Sequence, residues 1–342
     1  MFNMAIVGMG KMSQEHARWI DQNKDMQLVA ICEKNIGRHE ELRNKYNIEI
    51  YSTVEELLKN KKLDFVVITT TNEVHEEIAI KVLNQGINVI VEKPMTMTYE
   101  SAQRMIKAAE KNNKYLLVHQ SSRWDREYLS VKKYIDDGFI GELLVIQSKV
   151  IFCDEFWPSW GIDGMKNPWR VKAKYGGGLL YDWGPHLIDQ IVQIMGQFPL
   201  GVFGMLQKAV WSSEVDDHFF ATLKYEDNKI AQIEVCNNGR IPLPRWYVIG
   251  TKGTLIVPGK SEPFWDEVEL NYIKDNGKNE IIKTKLIGVT ESGLEGGFYT
   301  DLTLFLEGKI KDFVSMNDVA NVIKVLELIK RSSDEQKYYE FK

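Results

Sequence analysis

Three ionisable residues interrupt an otherwise apolar stretch, GGGLLYDWGPHLIDQIVQIMG, residues 176–196. Asp182, His186 and Asp189 fall at i, i+4 and i+7, one stripe of a helix, while Leu180, Leu187, Ile191 and Ile194 are offered to a core. Two carboxylates flanking an imidazole suggest a proton-handling site, because a histidine of ordinary pKa suits acid–base work near neutral pH. Asp182 also has a structural reading. Pro185 is tolerated only in a first helical turn, so the helix begins near Asp182, whose carboxylate would then serve as a cap. The glycines 176–178 just before it would allow close approach to a ligand.

A second reactive group ends a buried strand. NVIVEKPMTM carries β-branched residues straight into Glu92, Lys93 and Pro94. In a doubly wound sheet the carboxyl ends of the strands line the ligand crevice, so Lys93 is delivered there; Pro94 fixes the following turn and is compatible with a cis bond. Asn72 and His75 stand at the corresponding end of the preceding strand, His75 reading equally as a buried helix histidine or a cofactor contact. Taking a hydride from a carbinol carbon requires that the hydroxyl proton leave. His186 suits that base role. Lys93 suits it too if its pKa is lowered, or it donates a hydrogen bond to the developing alkoxide.

The hydride acceptor is written into the N-terminus. AIVGMGKMSQEHARWI places Gly8, Gly10 and Ser13 in a G-x-G-x-x-G frame between a strand and a helix, with Ser13 for the third glycine. Gly8 permits the tight turn, and Gly10 lets a pyrophosphate approach the helix N-terminus. Glu33 ends the next strand, where a carboxylate accepts adenine-ribose hydroxyls and repels a 2′-phosphate. That favours NAD, with Lys34 and Arg38 keeping NADP open. The cofactor-binding set is Gly8, Gly10, Lys11, Met12, Glu33, Thr70, Asn72, His75, Glu92 and Lys93.

The elements that position these residues follow from periodicity. From Phe2 to His119, short β-rich runs (NMAIVG, MQLVAICE, LDFVVITT, GINVIVEKP, KYLLVHQ) alternate with amphipathic helical segments, the pattern of a parallel sheet covered on both faces. After about residue 122 come a helix over 124–137, the long helix quoted above, and strand pairs in FFATLKYEDNKIAQIEVC, RWYVIGTKGTLIV and VELNYIKD. Two amphipathic segments close the chain. The expected fold is therefore α/β, with a doubly wound domain over 1–121 and a second α/β domain over 122–342 built on a largely antiparallel open sheet, the last helices packing back on the first.

Composition bounds the partners. The 342 residues carry 43 basic and 48 acidic side chains, interspersed, so no basic stripe invites nucleic acid. MFNMAIVGMG is unlike a signal peptide and no segment reaches the length of a membrane span, which predicts a cytosolic protein that does not bind membranes. Cys32, Cys153 and Cys236 lack metal-ligand spacing and read as core thiols, and no metal is expected.

Taken together, GMGKMS, VEKP and GGGLLYDWGPHLID resemble the glucose-fructose oxidoreductase/inositol dehydrogenase (Gfo/Idh/MocA) family over nearly the whole chain. The resemblance implies an N-terminal Rossmann domain and a C-terminal α/β domain whose open sheet forms a homodimer or homotetramer. It matches Lys93 to the family's E-K-P lysine, and Asp182 and His186 to the aspartate and histidine of its G-G-x-x-x-D-x-G-x-H-x-x-D pattern, as catalytic and substrate-binding residues. It places Arg123 of HQSSRWD, and Trp169 and Arg170 of NPWR, at the substrate. The implied activity is an NAD(P)-dependent dehydrogenase acting on secondary alcohols of sugars, cyclitols and their derivatives. Two alternatives are a redox-assisted glycosidase on the same fold and a non-catalytic nicotinamide sensor. Trp157, Trp160, Trp169 and Trp183 cluster in the stretch leading into and through the proposed catalytic helix, where flat faces would suit a sugar ring or simply a core.

Overall fold

A computed structural model describes residues 1–59, 62–154, 157, 168–259, 266–287 and 297–342. The first sheet holds β1 (Phe2–Val7), β2 (Met26–Cys32), β3 (Glu49–Tyr51), β4 (Phe65–Ile68), β5 (Asn88–Glu92) and β6 (Leu116–His119) in the order 3-2-1-4-5-6. Every pairing is parallel. Burial explains the arrangement: β4 and β6 are buried at every position, as a sheet flanked by helices requires. The flanking helices are α1 (Lys11–Gln22), α2 (His39–Tyr46), α3 (Val54–Leu57), α4 (His75–Asn84) and α5 (Tyr99–Asn112). The three-residue edge strand β3 is too short for periodicity to announce.

The chain then forms α6 (Arg126–Asp136), β7 (Leu143–Ile151), α7 (Leu179–Asp182), α8 (Gly184–Met195), β8 (Gly201–Gln207), β9 (His218–Lys224), β10 (Ile230–Cys236), β11 (Trp246–Gly250), β12 (Gly253–Val257), β13 (Glu267–Ile273), β14 (Asn279–Lys285), α9 (Gly297–Leu306), α10 (Met316–Glu335) and β15 (Tyr339–Glu340). The second sheet runs 14-13-12-11-7-10-9-8-15, antiparallel except where β10 lies parallel to β7. Its inner positions, among them Ala221, Leu223, Ile233 and Val235, are buried. α10 lies against β8 of this sheet and against α5 and β6 of the first, so the two layers share a helix.

Two expectations need correction. The helix expected to begin near Asp182 begins at Gly184, with Pro185 in its first turn. Asp182 instead ends a separate short helix, α7, the two being broken at Trp183, where Gly184 lets the chain pass under Leu326. Cys153 is exposed rather than a core thiol, because it follows the end of β7 beyond the sheet; Cys32 is buried and Cys236 half-buried.

Candidate active site

Lys93 leaves the end of β5 through a cis Lys93–Pro94 bond, and its ammonium reaches the α7–α8 junction. Its Nζ donates to the Asp182 backbone oxygen at 2.7 Å and to Asp182 Oδ1 at 3.1 Å. Asp182 Oδ2 accepts from Trp157 Nε1 at 2.8 Å and faces Arg170 Nε at 3.5 Å. The carboxylate therefore spends itself on side chains and caps no helix. Burial alone would raise its pKa, yet Lys93, Arg170 and the Trp157 donor hold it below the ordinary carboxylate range.

His186 stands one turn further on. Its Nδ1 lies 2.8 Å from Ser122 Oγ, in the turn that follows β6. Burial and then the Lys93 charge keep the imidazole well below its usual pKa, so it is neutral at neutral pH. Asp189 pairs with Arg123, accepting from Nε and Nη2 at 2.7 Å each. The stripe thus has a common address: Asp182, His186 and Asp189 all meet residues at the carboxyl ends of β5 and β6, namely Lys93, Ser122 and Arg123. Arg123 commits these two donors to Asp189, a bidentate grip that anchors the turn to α8.

The other predicted residues divide. Gly8 has φ of +89°, open to glycine, and α1 begins at Lys11 and Met12, directly after Gly10, with no side-chain cap, the kind of helix start at which an anion is favoured. A Cβ on Gly10 would meet nothing within 4 Å. Ser13 is buried and donates to the Gly10 carbonyl oxygen at 2.6 Å, closing the helix onto the turn as a third glycine would. Glu33 binds this turn too, accepting from the Met9 N–H at 3.0 Å, with Arg38 Nη1 3.5 Å away. Three residues are instead enclosed by protein. His75 is fully buried between the Pro94 and Thr70 carbonyl oxygens, and Asn72 donates to the Gly176 carbonyl oxygen at 2.9 Å. Glu92 turns away from Lys93: its Oε1 lies 2.8 Å from His16 Nε2 and 2.7 Å from His119 Nδ1, while Oε2 accepts from the Lys93 N–H.

The glycine run and the tryptophans also have assigned neighbours. A Cβ at Gly176, Gly177 or Gly178 would overlap Met97, the Arg170 carbonyl or the Asp216 carboxylate, so these glycines admit protein rather than ligand. Trp157 is buried on Asp182, Trp169 lies 4.5 Å under the Arg170 guanidinium, and Trp183 meets the His186 ring edge-on at 6.1 Å. Trp160 lies outside the described residues.

Two polar groups at the same edge escaped the sequence reading. Ser122 is one. The other is Gln120, whose amide N and O are both buried without a hydrogen-bond partner among the described residues, as is Thr70 Oγ1. The register pairs Glu92 with His119, and Gln120 directly follows β6 as Lys93 directly follows β5. At the carboxyl edge of the sheet, such orphaned atoms are groups that a dinucleotide laid there would satisfy. Alternation from Glu92 and His119 was the available signal.

Comparison with known proteins places this arrangement. A family model described as "Oxidoreductase family, NAD-binding Rossmann fold" matches residues 2–120, and the Gfo/Idh/MocA C-terminal domain matches residues 128–256. The chain belongs to the Gfo/Idh/MocA family. An uncharacterized oxidoreductase of Schizosaccharomyces pombe is 31% identical over 61% of this chain and 57% of its own length. The scyllo-inositol 2-dehydrogenase (NADP(+)) IolW of Bacillus subtilis is 29% identical over 61% of this chain and 56% of its own. The match thus spans just over half the length of these relatives. Among solved structures, an NAD-binding protein from Listeria innocua superposes with a TM-score of 0.85 at 28% identity, covering 99% of this chain and 96% of that one. For this Gfo/Idh/MocA member, the uncapped helix, the open space at Gly10 and the orphaned Thr70 and Gln120 atoms fit a dinucleotide laid along the carboxyl edge of the first sheet. No helix among the described residues is long and apolar enough to cross a membrane.

Proposed function

We propose that this family member is an NAD-dependent dehydrogenase moving a hydride between nicotinamide and a secondary alcohol of a sugar, cyclitol or glycoside. The observation that carries the reading is the meeting of Lys93 with Asp182 and His186, residues some ninety positions apart in the chain, at the sheet edge that also carries the glycine turn. When bound, NAD supplies the hydride acceptor.

The residues then take distinct roles. An ammonium has three hydrogens; two directions of Lys93 Nζ are fixed on Asp182, which leaves one for an alcohol oxygen. Lys93 therefore binds and steadies the developing alkoxide, and Asp182 orients Lys93. His186, kept neutral, receives the hydroxyl proton at Nε2. Arg170 and Trp169 border the carboxylate side of this site and are assigned to substrate. The glycine turn and the first N–H groups of α1 hold the pyrophosphate, and Glu33 accepts the ribose hydroxyls. Arg38, close to Glu33, is the group a 2′-phosphate would meet, and the similarity to an NADP-named relative makes it the position to watch.

A soluble homo-oligomer completes the reading. Phe203, Met205 and Ile230 are exposed on the face of the second sheet that α8 and α10 leave bare, a patch of the kind subunits cover.

Purified protein incubated with NAD or NADP and a panel of sugars, inositols and glycosides tests the proposal by nicotinamide absorbance and glycoside release. Reduction of NAD by at least one panel alcohol is expected. Glycoside release without net NADH would move the assignment to redox-assisted cleavage, and cofactor binding with neither reaction would point to a sensor.

A further inference from the structure

The turn after β6 holds α8 at three successive points. Ser122 Oγ lies against His186 Nδ1 at 2.8 Å, the Ser122 carbonyl oxygen accepts from Gln190 Nε2 at 2.7 Å, and Arg123 grips Asp189. Gln190 is itself fixed, its Oε1 accepting from Arg245 Nη2 at 2.8 Å, with Arg245 buried beside Ser148 on the second sheet. A polar chain therefore runs from the buried sheet to the imidazole through one small hydroxyl, and Ser122 is itself 8% exposed. Both Gln190 and Asp189 are buried, so this turn is pinned by groups that cannot relax into water.

We propose that Ser122 is a positioning residue for His186: its Oγ accepts the Nδ1 hydrogen, fixes that ring tautomer and leaves Nε2 as the atom offered to the substrate hydroxyl. The inference rests on His186 handling the proton in the reaction proposed above. The chemical logic is that an imidazole acting through Nε2 must keep its hydrogen on Nδ1, and that hydrogen needs an acceptor whether the ring is neutral or charged. The other charged or titratable groups bearing on the ring are Lys93 and Glu92 from the end of β5, His119 from β6 and Asp182 from α7. The two carboxylates on the same stripe are both taken, Asp182 by Lys93 and Trp157 and Asp189 by Arg123. Ser122 is the partner that Nδ1 has.

The test measures the tautomer and the turnover separately. In protein carrying isotope-labelled histidine, with the His186 signal assigned by its loss in His186→Gln, the imidazole nitrogen shifts should report a protonated Nδ1. Ser122→Ala should turn this into a mixture of tautomers, and Ser122→Thr, which keeps the hydroxyl, should restore the single form. On an oxidised alcohol, Ser122→Ala should lower kcat about tenfold with KM held within about twofold, and move the acid limb of kcat/KM to lower pH, because the imidazolium loses its acceptor. A purely structural loss would leave that limb in place. Unchanged nitrogen shifts in Ser122→Ala overturn the inference. If the wild-type protein oxidises no alcohol, the proposed reaction fails while the tautomer measurement still decides on Ser122.

Discussion

Glu92 and Lys93 are neighbours at the end of one strand, yet they enter opposite regions. Glu92 goes inward to His16 and His119; His16 Nδ1 meets the Tyr299 hydroxyl at 2.6 Å, and His16, His119 and Tyr299 are all but completely buried. Lys93 goes outward to Asp182 and His186, which stay partly accessible. Both clusters combine a carboxylate with histidine. In the inner one the histidine nitrogens facing Glu92 are spent on its carboxylate, and two histidines outweigh burial to hold Glu92 well below its usual pKa. In the outer one His186 Nε2 has no partner among the described residues. Residue type alone does not mark a reactive site; an uncommitted atom at an accessible edge does. The inner ligand atoms lie within 4.8 Å of one another, a spacing that would suit a metal, but the hydrogen bonds among them already account for it.

Substitution should separate the two regions by what is lost. Lys93→Ala is expected to lower turnover by about 10³-fold or more while cofactor affinity changes by only a few-fold, and His186→Ala by about 10²–10⁴-fold, both read in steady-state assays. Near-normal turnover in both would remove the catalytic assignment. Glu92→Ala should act on folding, costing about 3–5 kcal/mol in denaturant unfolding because it leaves two buried imidazoles without their acceptor. A Glu92→Ala protein as stable as the parent would mean that the inner cluster does not hold the fold together.

The glycines sharpen the same contrast. Gly10 faces open space at a φ of −87° that any L residue adopts, whereas a Cβ on Gly177 would overlap the Arg170 carbonyl. Gly10→Ala should therefore keep its melting temperature and lose about tenfold in NAD affinity by calorimetry, about 1.4 kcal/mol. Gly177→Ala should do the reverse. Equal affinity of Gly10→Ala and parent would show that no phosphate approaches this turn.

Much of this was legible because it is local. The glycine turn, Glu33 at a strand end and Lys93 at another are set by neighbours in sequence, and buried strands betray themselves as unbroken Val/Ile runs. What escaped depends on distant partners. β7 alternates in burial, but its mates β10 and β11 lie some eighty to a hundred residues on, and β8 pairs with the C-terminal β15. The direction of the Glu92 carboxylate is set by His16 and His119, and the role of Ser122 by α8; neither is encoded within a window around the residue. The start of α8 was within reach, since Pro185 announces a helix start and α8 begins within two residues of the expected Asp182; the short α7 before it carries no such mark.

The smallest effect concerns pH, where two buried carboxylates should pull in opposite directions. Glu92 is held below its unfolded pKa, as the His16 imidazole is held below its own mainly by burial. Such groups stabilise fully above their unfolded values, near 6.5 for His16 and 4.5 for Glu92, and lose that stabilisation as pH falls toward the folded ones. Asp216 is the converse. Burial, reinforced by Asp217, pushes its carboxyl up to about 7, although Leu180 N–H donates to it at 2.8 Å at the start of α7. The folded chain thus keeps a proton that the unfolded chain releases near 3.8, and stability from this group is complete below that value and lost as pH rises to about 7. Asp216→Asn retains an oxygen for the Leu180 N–H and cannot titrate. Its melting temperature should fall less than that of the parent between pH 5 and pH 8, by about a few degrees. Parallel curves for the two proteins would show that Asp216 is ionised throughout, and that the α7 start is solvated in a way its burial does not suggest.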